Sequence, residues 1–386
     1  MTFVSPDWFV LISTTTTAGR RSAVVARRGL TLLPIFAALF GTGSISAQRR
    51  MAVSDVKTCA ACTIRMGLIA VLGENRGSGK LPAVPNSVVR DWKGRFVLAD
   101  ADSPPLLFDS VGNYLGYLGS TQNRFRGVSE ISWKDSTVVM VDELRRKILF
   151  ADTGLRRVST TDWRWTVSDL RVLSPSRVAL SSNVQTRAHI GLPVLVVEGS
   201  GEVSIALGEA DTVAWFRPEQ RTWIARGSSA HLWLAKERAY RLEEWTEAGE
   251  LLTRVTRSPS WYQAIRNGRQ TLDEGPGSSI RAVYFSDSLL WVIVSAADSN
   301  WRSAITEVVT TEGRTYRVND YDKFLDTVVE AIDVRSGKLI ASSRFDFVVS
   351  HIAAPNMAVS PSIVGGVTKL RILRIALDST STREEP

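Results

Sequence analysis

The only two cysteines of the chain, Cys59 and Cys62, are separated by two residues, a spacing that serves several kinds of chemistry. A redox-active pair places its first cysteine at the start of a helix, where the thiol pKa falls, but residues 63–72 have the apolar and β-branched pattern of a strand. Covalent haem attachment requires a histidine directly after the second cysteine, and Thr63 stands there. A zinc site needs two further ligands. We therefore expect a local disulfide between Cys59 and Cys62, which is typical of a protein exported to an oxidising compartment.

Other residue types that carry catalysis do not form a complete set. The three histidines, at positions 189, 231 and 351, are too widely spaced to suggest a metal cluster. The segment Gly77-Ser78-Gly79-Lys80 lacks the first glycine and the following Ser or Thr of a phosphate loop, so we interpret it as a turn. No Gly-x-Ser-x-Gly nucleophile motif occurs in the sequence. These residues predict no cofactor and assign no catalytic residue.

The basic charge of the chain does not indicate nucleic-acid binding. Of 386 residues, 47 are basic and 39 acidic, which gives a formal net charge of +8, and 38 of the basic residues are arginine. A nucleic-acid-binding surface concentrates its basic residues, whereas here they are scattered and the longest run is Arg145-Arg146-Lys147. We interpret most of them as solvated strand edges and loops and predict no nucleic-acid partner. The 44% hydrophobic and 22% charged content excludes a disordered chain.

The first 47 residues have the features of an export signal. Arg27-Arg28 precede the apolar run Leu30–Phe40, and small residues fill positions 41–47. A basic segment, an apolar segment and a small-residue segment in this order are typical of a secretory signal peptide, and the apolar run is shorter than the roughly 20 residues of a membrane span. Cleavage is expected after residue 46 or 47.

Residues 1–23 fit poorly in front of such a signal, so a true start near residue 24 is the alternative that we keep open. Removal of residues 1–47 leaves a net charge of +5. No later segment has the length of uninterrupted apolar sequence that a membrane span requires. We therefore expect an exported protein, periplasmic or extracellular, with no membrane span in the mature chain.

An internal repeat between residues 88 and 155 is the most informative feature of the sequence. Residues 88–100 and 131–142 each have the pattern of a short strand, a polar turn and a second strand that ends in Asp. Three pairs of residues are each 42 positions apart: Asp100 and Asp142, Phe108 and Phe150, and Gly112 and Gly154. The two glycines are expected in hairpin turns that require positive φ.

Similar turns recur at residues 197–202, 245–250 and 332–338, and residues 351–378 form a sixth, weaker unit. Four short strands in each unit of roughly 40–50 residues are typical of a β-propeller; a two-sheet sandwich, the alternative, does not explain the 42-residue match. We predict an all-β, six-bladed β-propeller of four-stranded antiparallel blades over residues 59–378. Residues 48–58 would be a linker and residues 379–386 a disordered tail.

The ring needs a closing strand, and the N-terminal part of this region has the pattern to provide it. Residues 70–73 (Ala-Val-Leu-Gly) resemble the ends of the outer strands in the first and third units, at residues 116–119 and 205–208. We predict that Ile64–Leu72 is the fourth strand of the last blade and covers its otherwise exposed edge. The Cys59–Cys62 pair would fix the point at which this strand enters.

The repeat resembles six-bladed propellers of the NHL and TolB-like type, especially exported bacterial members. The resemblance rests on the hairpins at 109–113 and 152–155, the Trp-Lys pairs at Trp92 and Trp133, and the segment Asp326–Gly337, and it spans about residues 60–378. It implies that ligands bind on one rim of the central channel, formed by the loops that join second to third strands and those that join successive blades. Because propellers include enzymes, scaffolds and binding proteins, it does not imply a single function.

Two long insertions fall in loops between second and third strands, Ser181–Gly191 in blade 3 and Ser295–Asp326 in blade 5, and long loops in a compact fold are frequently functional. Asp298 and Asp322 belong to the second insertion. With residues at the ends of second strands in blades 1 and 2, these loops supply the candidate rim residues: Asp100, Asp142, Arg145, Arg146, Arg187, His189, Trp301, Arg302, Tyr316, Arg317, Asp320 and Tyr321.

The leading hypothesis is an exported, monomeric, non-catalytic propeller that binds a protein, peptide or glycan through this rim. A hydrolase or lyase of the same fold is the first alternative, for example a lactonase that uses a channel-bound divalent cation such as calcium. Asp91, Asp100 and Asp142 are the carboxylates available for that cation, without an Asn or Glu assigned beside them. A structural scaffold in an envelope assembly is the second alternative.

Overall fold

The computed structural model describes residues 48–73, 80, 81, 83–119, 125–156, 158–182, 192–209, 221–228, 230–264, 275–310, 313–364 and 366–379. The predicted export signal at residues 1–47 lies outside the described residues. So does the predicted C-terminal tail, apart from its first residue.

The described residues form 27 strands, of which 24 build six four-stranded blades around the ring. Two strands come first, β1 (Arg49–Ala52) and β2 (Cys62–Leu72). Blade 1 contains β3 (Ser87–Arg90), β4 (Phe96–Asp100), β5 (Ser103–Phe108) and β6 (Tyr114–Tyr117). Blade 2 contains β7 (Val128–Lys134), β8 (Thr137–Asp142), β9 (Lys147–Asp152) and β10 (Val158–Asp162). Blade 3 contains β11 (Val167–Ser174), β12 (Arg177–Ser182), β13 (Val194–Glu198) and β14 (Val203–Leu207).

Blades 4 to 6 continue the same antiparallel order, with one insertion. Blade 4 contains β15 (Thr222–Arg226), β16 (His231–Lys236), β17 (Arg241–Thr246) and β18 (Leu251–Thr256). Blade 5 begins with β19 (Ser279–Ser286) and β20 (Leu289–Ala297), followed by a turn of 3-10 helix (Trp301–Ala304) and the hairpin β21 (Ile305–Thr310) and β22 (Gly313–Val318). It ends with β23 (Leu325–Asp333) and β24 (Lys338–Phe345). Blade 6 contains β25 (His351–Ala354), β26 (Met357–Val364) and β27 (Val367–Ser379).

The blades form a closed ring, which confirms the six-bladed propeller. The first strands contact one another in the cyclic order β3, β7, β11, β15, β19, β25 and back to β3, so they surround the central channel. β2 is the outer strand of blade 6 and pairs antiparallel with β27, from Cys62 opposite Ser379 to Leu72 opposite Leu370. The predicted closure of the ring by an N-terminal strand is therefore confirmed.

Apolar second and third strands explain why each blade packs against its neighbours on both faces. Every residue of β8 is buried, and the exposed fraction of Trp233 in β16 is only 1%. Trp291 of β20 stacks on Tyr284 of β19, with 5.6 Å between ring centroids. Because these strands have no solvent face, apolar residues at consecutive positions are favourable throughout them.

The hairpin turns between third and fourth strands differ from the prediction at one position. Gly112 has a φ of +102°, as expected, but in blade 2 the residue with positive φ is Leu155, at +55°, and not Gly154. Asp152 Oδ1 accepts a hydrogen bond from the amide of Arg156, as Asp109 Oδ1 does from the amide of Asn113. Asp109 and Asp152 therefore occupy equivalent positions in the two turns, 43 residues apart. The side chain of Leu155 is buried in the core, with 5% of its surface exposed.

Residues 48–58, which the sequence suggests are a linker, lie along the outside of the ring. β1 pairs in parallel with β18 of blade 4, so that blade has a fifth strand. The chain then crosses to blade 5, where the amide of Thr58 donates to the carbonyl of Leu339 at 2.9 Å. Cys59 and Cys62 form a disulfide directly before β2, which bears out the expected pairing.

Candidate functional site

One face of the ring, which we call the rim side, carries the ends of the second strands and the beginnings of the first strands. Among the sequence-predicted residues on this side, Asp142 and Arg145 form a closed turn. Asp142 is 1% exposed, and its Oδ2 lies 2.6 Å from Nη1 of Arg145, whose amide donates to Asp142 Oδ1 at 2.8 Å. The same guanidinium donates to the carbonyl of Arg126. The carboxylate of Asp142 therefore holds the β8–β9 turn in place.

Asp100 and Arg146 occupy similar turn positions. Asp100 ends β4, and its Oδ1 accepts a hydrogen bond from the amide of Asp102 at 3.3 Å. Burial raises the pKa of the Asp100 carboxyl. Arg146 adopts a φ of +55°, and its carbonyl accepts a hydrogen bond from the amide of Trp163. The side chain of Arg146 is exposed at the rim.

The blade-5 insertion forms an arm, residues 298–324, that extends from the rim side. The guanidinium of Arg302 lies over the ring of Trp301, 4.6 Å from its centroid. Tyr316 and Arg317 lie on β22, opposite Glu307 and Thr306 of β21. Asp320 pairs with Lys323 at 3.4 Å, and Tyr321 is 39% exposed. The arm therefore presents aromatic and charged side chains together.

Two carboxyl groups, those of Asp298 and Asp326, lie at the base of the arm. Asp326, the second residue of β23, pairs with Arg344, and Asp298 lies near enough to affect the pKa of its carboxyl. Burial raises the pKa of the Asp326 carboxyl, as does the neighbouring Asp298. Asp322 lies 3.9 Å from the guanidinium of Arg371 in blade 6. Arg187 and His189, the two candidate residues of the blade-3 insertion, lie outside the described residues.

A second group of polar side chains lies where the first strands enter the channel, and the sequence analysis did not assign it. We call this group the channel mouth. It consists of six ionisable residues from five blades: Glu130, Asp169, Arg171, Arg221, Arg281 and His351. Each lies at or near the rim-side start of a first strand, and these strands surround the channel.

Asp169 and Arg171 of blade 3 form the best-defined pair of the channel mouth. Arg171 Nη1 lies 2.7 Å from Asp169 Oδ1, and the Asp169 side chain is only 6% exposed. Asp169 Oδ2 accepts a hydrogen bond of 2.7 Å from the amide of Ile224, so this carboxylate also joins blade 3 to blade 4. Burial raises the pKa of Asp169, and Arg171, the Ile224 and Leu170 amides and Arg221 oppose that rise.

Arg281 of blade 5 is held by hydrogen-bonding groups of two blades. Its Nε donates to Ser295 Oγ at 2.6 Å, and its Nη1 lies 3.6 Å from Glu237 Oε1 in blade 4. Glu237 also accepts a hydrogen bond from the amide of Arg221. One quarter of the Arg281 side-chain surface remains accessible, so the guanidinium is positioned by the protein and still reaches solvent.

Glu130 and His351 have pKa values that depart from normal in opposite directions. Burial raises the pKa of the Glu130 carboxyl well above its usual range, and Asp169 raises it further, against the effects of Arg221 and Arg171 and a hydrogen bond with Ser87. Burial lowers the pKa of His351 to about 4, and the positive charges of Arg221 and Arg281 act in the same direction. At neutral pH the imidazole of His351 is therefore uncharged.

Arg221 interacts electrostatically with a group from each of four other blades. These groups are Glu130, Asp169, Arg281 and His351. Arg221 therefore lies within electrostatic range of groups from blades 2, 3, 5 and 6.

β-Bulges at the starts of the first strands contribute to this arrangement. The pairing register skips Ser129 in blade 2, Ser168 in blade 3 and Arg281 in blade 5. A bulge redirects side chains locally and is frequent beside functional sites. A sequence signal was available, because charged residues alternate with apolar ones at Asp169-Leu170-Arg171 and at the start of β19.

Within the described residues, no group of three or more His, Cys, Asp or Glu side chains is close enough together to hold a metal ion. In that same part of the chain, no helix has the length and apolar character needed to cross a bilayer.

No protein-family model and no curated protein sequence matches the chain. Solved structures do. A Bacteroides fragilis protein predicted to be exported is similar with a TM-score of 0.50 and 11% identity, over 85% of this chain and 99% of that one. A member of the DUF4221 family from Bacteroides vulgatus gives a TM-score of 0.52 and 8% identity, over 82% and 99%.

Virginiamycin B lyase from Staphylococcus aureus is also similar, at 10% identity and a TM-score of 0.41 over 82% of this chain and all of that one. A likeness this weak has no bearing on function. The NHL or TolB-like type stays a prediction. At these identities the chain shares with the two Bacteroides proteins the propeller fold, and its own side chains must supply the argument about function.

Proposed function

We propose that this chain is an exported, non-catalytic binding protein that holds part of a peptide, protein or glycan ligand at the channel mouth. The arm, which lies on the same side of the ring, adds contacts to the rest of the ligand. The signal-like pattern of residues 1–47 supports export, and these residues lie outside the described part of the structure.

The observation that carries the proposal is the convergence of six ionisable side chains from five blades on one end of the channel. Burial of charged groups is costly, and the blades pack against one another elsewhere through apolar residues. A stable ring could be built with apolar residues at these first-strand positions. Convergent polar groups in a concave site with perturbed pKa values are the usual signature of a binding or active site.

The test is a binding screen with residues 48–386, purified with the disulfide intact. A defined panel of short peptides and oligosaccharides is screened by thermal shift, and dissociation constants of the compounds that bind are measured by calorimetry. The channel-mouth variant is Arg281→Gln. The matched control is Arg156→Gln, the same substitution at an exposed position in a turn on the opposite face of the ring.

We expect at least a tenfold loss of affinity in Arg281→Gln and no change in Arg156→Gln. Bound compounds should be recovered unchanged by mass spectrometry after prolonged incubation. Equal affinities in both variants would place binding away from the channel mouth and overturn the proposal. Conversion of a bound compound would overturn its non-catalytic part.

A hydrolase or lyase is the second candidate, and one observation favours it. Glu130 and His351 belong to the same cluster and have pKa values displaced in opposite directions, which is a pattern that acid–base pairs in enzymes share. Turnover of any panel compound by the wild type, lost in both Glu130→Gln and His351→Gln, would support this candidate. Turnover that EDTA abolishes and calcium restores would assign the chemistry to a divalent cation.

A further inference from the structure

The charges of the channel mouth define what kind of group its ligand presents. Three guanidinium groups, those of Arg171, Arg221 and Arg281, come from blades 3, 4 and 5. Arg238 lies in the next turn of blade 4 and adds a fourth positive charge that acts on Arg281. The cations of this region are therefore contributed by blades 3, 4 and 5, and those of Arg221 and Arg238 lie within electrostatic range of Arg281.

The carboxylates of the region are already used within the protein. Asp169 accepts hydrogen bonds from the amides of Leu170 and Ile224 and pairs with Arg171. Glu237 accepts from the amide of Arg221 and pairs with Arg281. Both carboxylates position guanidinium groups, which is how proteins prepare an anion-binding site in advance.

The remaining two ionisable groups, His351 and Glu130, are both displaced towards their uncharged forms. His351 loses its proton more readily because of Arg221 and Arg281, in addition to burial. Glu130 is held towards its uncharged form chiefly by burial. The channel mouth therefore carries an excess of positive charge, and two neutral hydrogen-bonding groups stand beside it.

The side chains of two of these arginines are partly accessible as well as positioned. The side chains of Arg171 and Arg281 are 29% and 25% exposed, although both residues belong to strands that line the channel. Guanidinium groups bind planar carboxylate or phosphate groups with two parallel hydrogen bonds, which an ammonium group cannot do. The geometry suits an anionic group that enters from the rim side.

We propose that the ligand of the channel mouth carries a carboxylate or phosphate group, and that Arg171, Arg221 and Arg281 bind this group directly. The proposal rests on the proposed function, since it specifies the ligand class of the same site. Glu130 and His351 would then offer hydrogen bonds to uncharged polar parts of the ligand next to the anionic group.

The experiment compares matched small probes. Glutarate and glutaramide have the same carbon chain, but glutarate ends in two carboxylates and glutaramide in two uncharged amides. Inorganic phosphate is the third probe. Binding to residues 48–386 is measured by calorimetry and by chemical-shift changes in NMR, at low and at moderate ionic strength. Wild type, Arg221→Gln and the control Arg156→Gln are compared.

Glutarate or phosphate should bind at least tenfold more tightly than glutaramide, and Arg221→Gln should abolish this preference. Tighter binding of glutarate would indicate a carboxylate ligand, and tighter binding of phosphate would indicate a phosphate ligand. If glutaramide binds as well as glutarate, or if Arg221→Gln retains the preference, the anion proposal is wrong. If uncharged panel compounds bind in an Arg281-dependent manner while neither anion binds, the proposed function stands and only this inference fails.

Discussion

The guanidinium of Arg257 forms a bidentate ion pair with the carboxylate of Glu330, with Nε–Oε2 and Nη2–Oε1 distances of 2.7 and 2.8 Å. Neither side chain is more than 2% exposed. Tyr240 donates a third hydrogen bond to the same carboxylate at 2.5 Å, and Arg257 also donates to the carbonyl of Ser54. One buried cluster therefore joins blade 4, blade 5 and the N-terminal segment.

Glu330→Gln should destabilise the fold strongly, because the substitution removes the only fully buried counter-charge of the Arg257 guanidinium in the described residues and leaves it the half-exposed Asp55, 3.1 Å away. Loss of one partner of a buried ion pair costs about 3–5 kcal/mol. Urea unfolding followed by tryptophan fluorescence measures the change. The control is Asp162→Asn, which removes an exposed partner of Lys147 and should change the unfolding free energy by less than about 1 kcal/mol. Equal effects of the two substitutions would contradict a stabilising role for the buried pair.

Closure by β2 predicts that removal of residues 48–73 abolishes cooperative folding. β27 would keep β26 but lose its outer antiparallel partner, and the outer edge of blade 6 would be exposed. Removal of 48–52 alone, which contains β1, should leave the ring closed and lower stability by a smaller amount. Circular dichroism melts and sedimentation measurements report on both truncations. A monomeric, cooperatively folding chain without residues 48–73 would refute closure of the ring by β2.

The disulfide between Cys59 and Cys62 should contribute modestly to stability. It closes a loop of only a few residues, for which the loss of chain entropy in the unfolded state corresponds to about 2 kcal/mol. The double variant Cys59→Ser, Cys62→Ser should therefore fold and unfold cooperatively at a lower denaturant concentration. Its binding affinities should equal those of the wild type. If the double variant kept its structure but lost ligand binding, the Cys59–Cys62 pair would have a functional role.

His351 should make stability depend on pH below neutrality. Its pKa is about 4 in the folded chain, below its ordinary value of 6.5, because of burial, Arg221 and Arg281. Between these values the unfolded chain binds the additional proton, so the contribution of His351 is fully present above pH 6.5 and is lost as the pH falls towards 4.

The wild type should therefore lose stability relative to His351→Gln as the pH falls from 7 to 4, by on the order of 2–3 kcal/mol. Glu130 and Asp169 titrate in both the wild type and His351→Gln. The difference between the unfolding free energies of these two proteins therefore reports on the imidazole of His351. Urea unfolding at intervals of half a pH unit supplies the comparison. A difference that stays constant with pH would show that His351 does not carry this dependence.

Replacement of residues 299–323 by a short Gly-Ser linker should remove the arm and keep the ring. The amide of Asp298 donates to the carbonyl of Phe324 at 3.2 Å, so the ends of the arm are already adjacent, and β20 and β23 pair as far as Ala297 and Leu325. Affinity for larger peptide or glycan ligands should fall at least tenfold, whereas glutarate binding at the channel mouth should persist. Unchanged affinity for the larger ligands would remove the arm from the binding surface.

The repeat made the fold predictable, because the strand and turn pattern that recurs at 42 residues describes a unit that must stack with copies of itself. The same reasoning assigned Ile64–Leu72 to the last blade. The prediction was wrong for one turn residue. In the turn of blade 2, Leu155 has the positive φ and Asp152 accepts the hydrogen bond from a turn amide, whereas Gly154 does not have a positive φ. A carboxylate that binds turn amides is a more exact marker of register than a glycine.

The candidate site was less predictable from the sequence. Exposed loops commonly carry binding residues, and the sequence favoured Asp142 and Arg145 for that reason. In the structure these two residues stabilise their own turn. The channel mouth is built from residues on strands that are over 200 positions apart in sequence, such as Glu130 and His351. Only ring closure brings them together, and bulges near Ser129 and Ser168 adjust their directions in ways that residue types alone do not specify.

Hydrogen–deuterium exchange with and without bound ligand tests the central claim most directly. The ligand is the tightest binder from the panel, and its mixture with Arg281→Gln is the control. The account predicts slower exchange at the rim-side starts of the first strands, at residues 128–131, 167–171 and 279–282, and no change in turns on the opposite face such as 152–156. Protection confined to the opposite face, or to the outer strands of the blades, would contradict binding at the channel mouth.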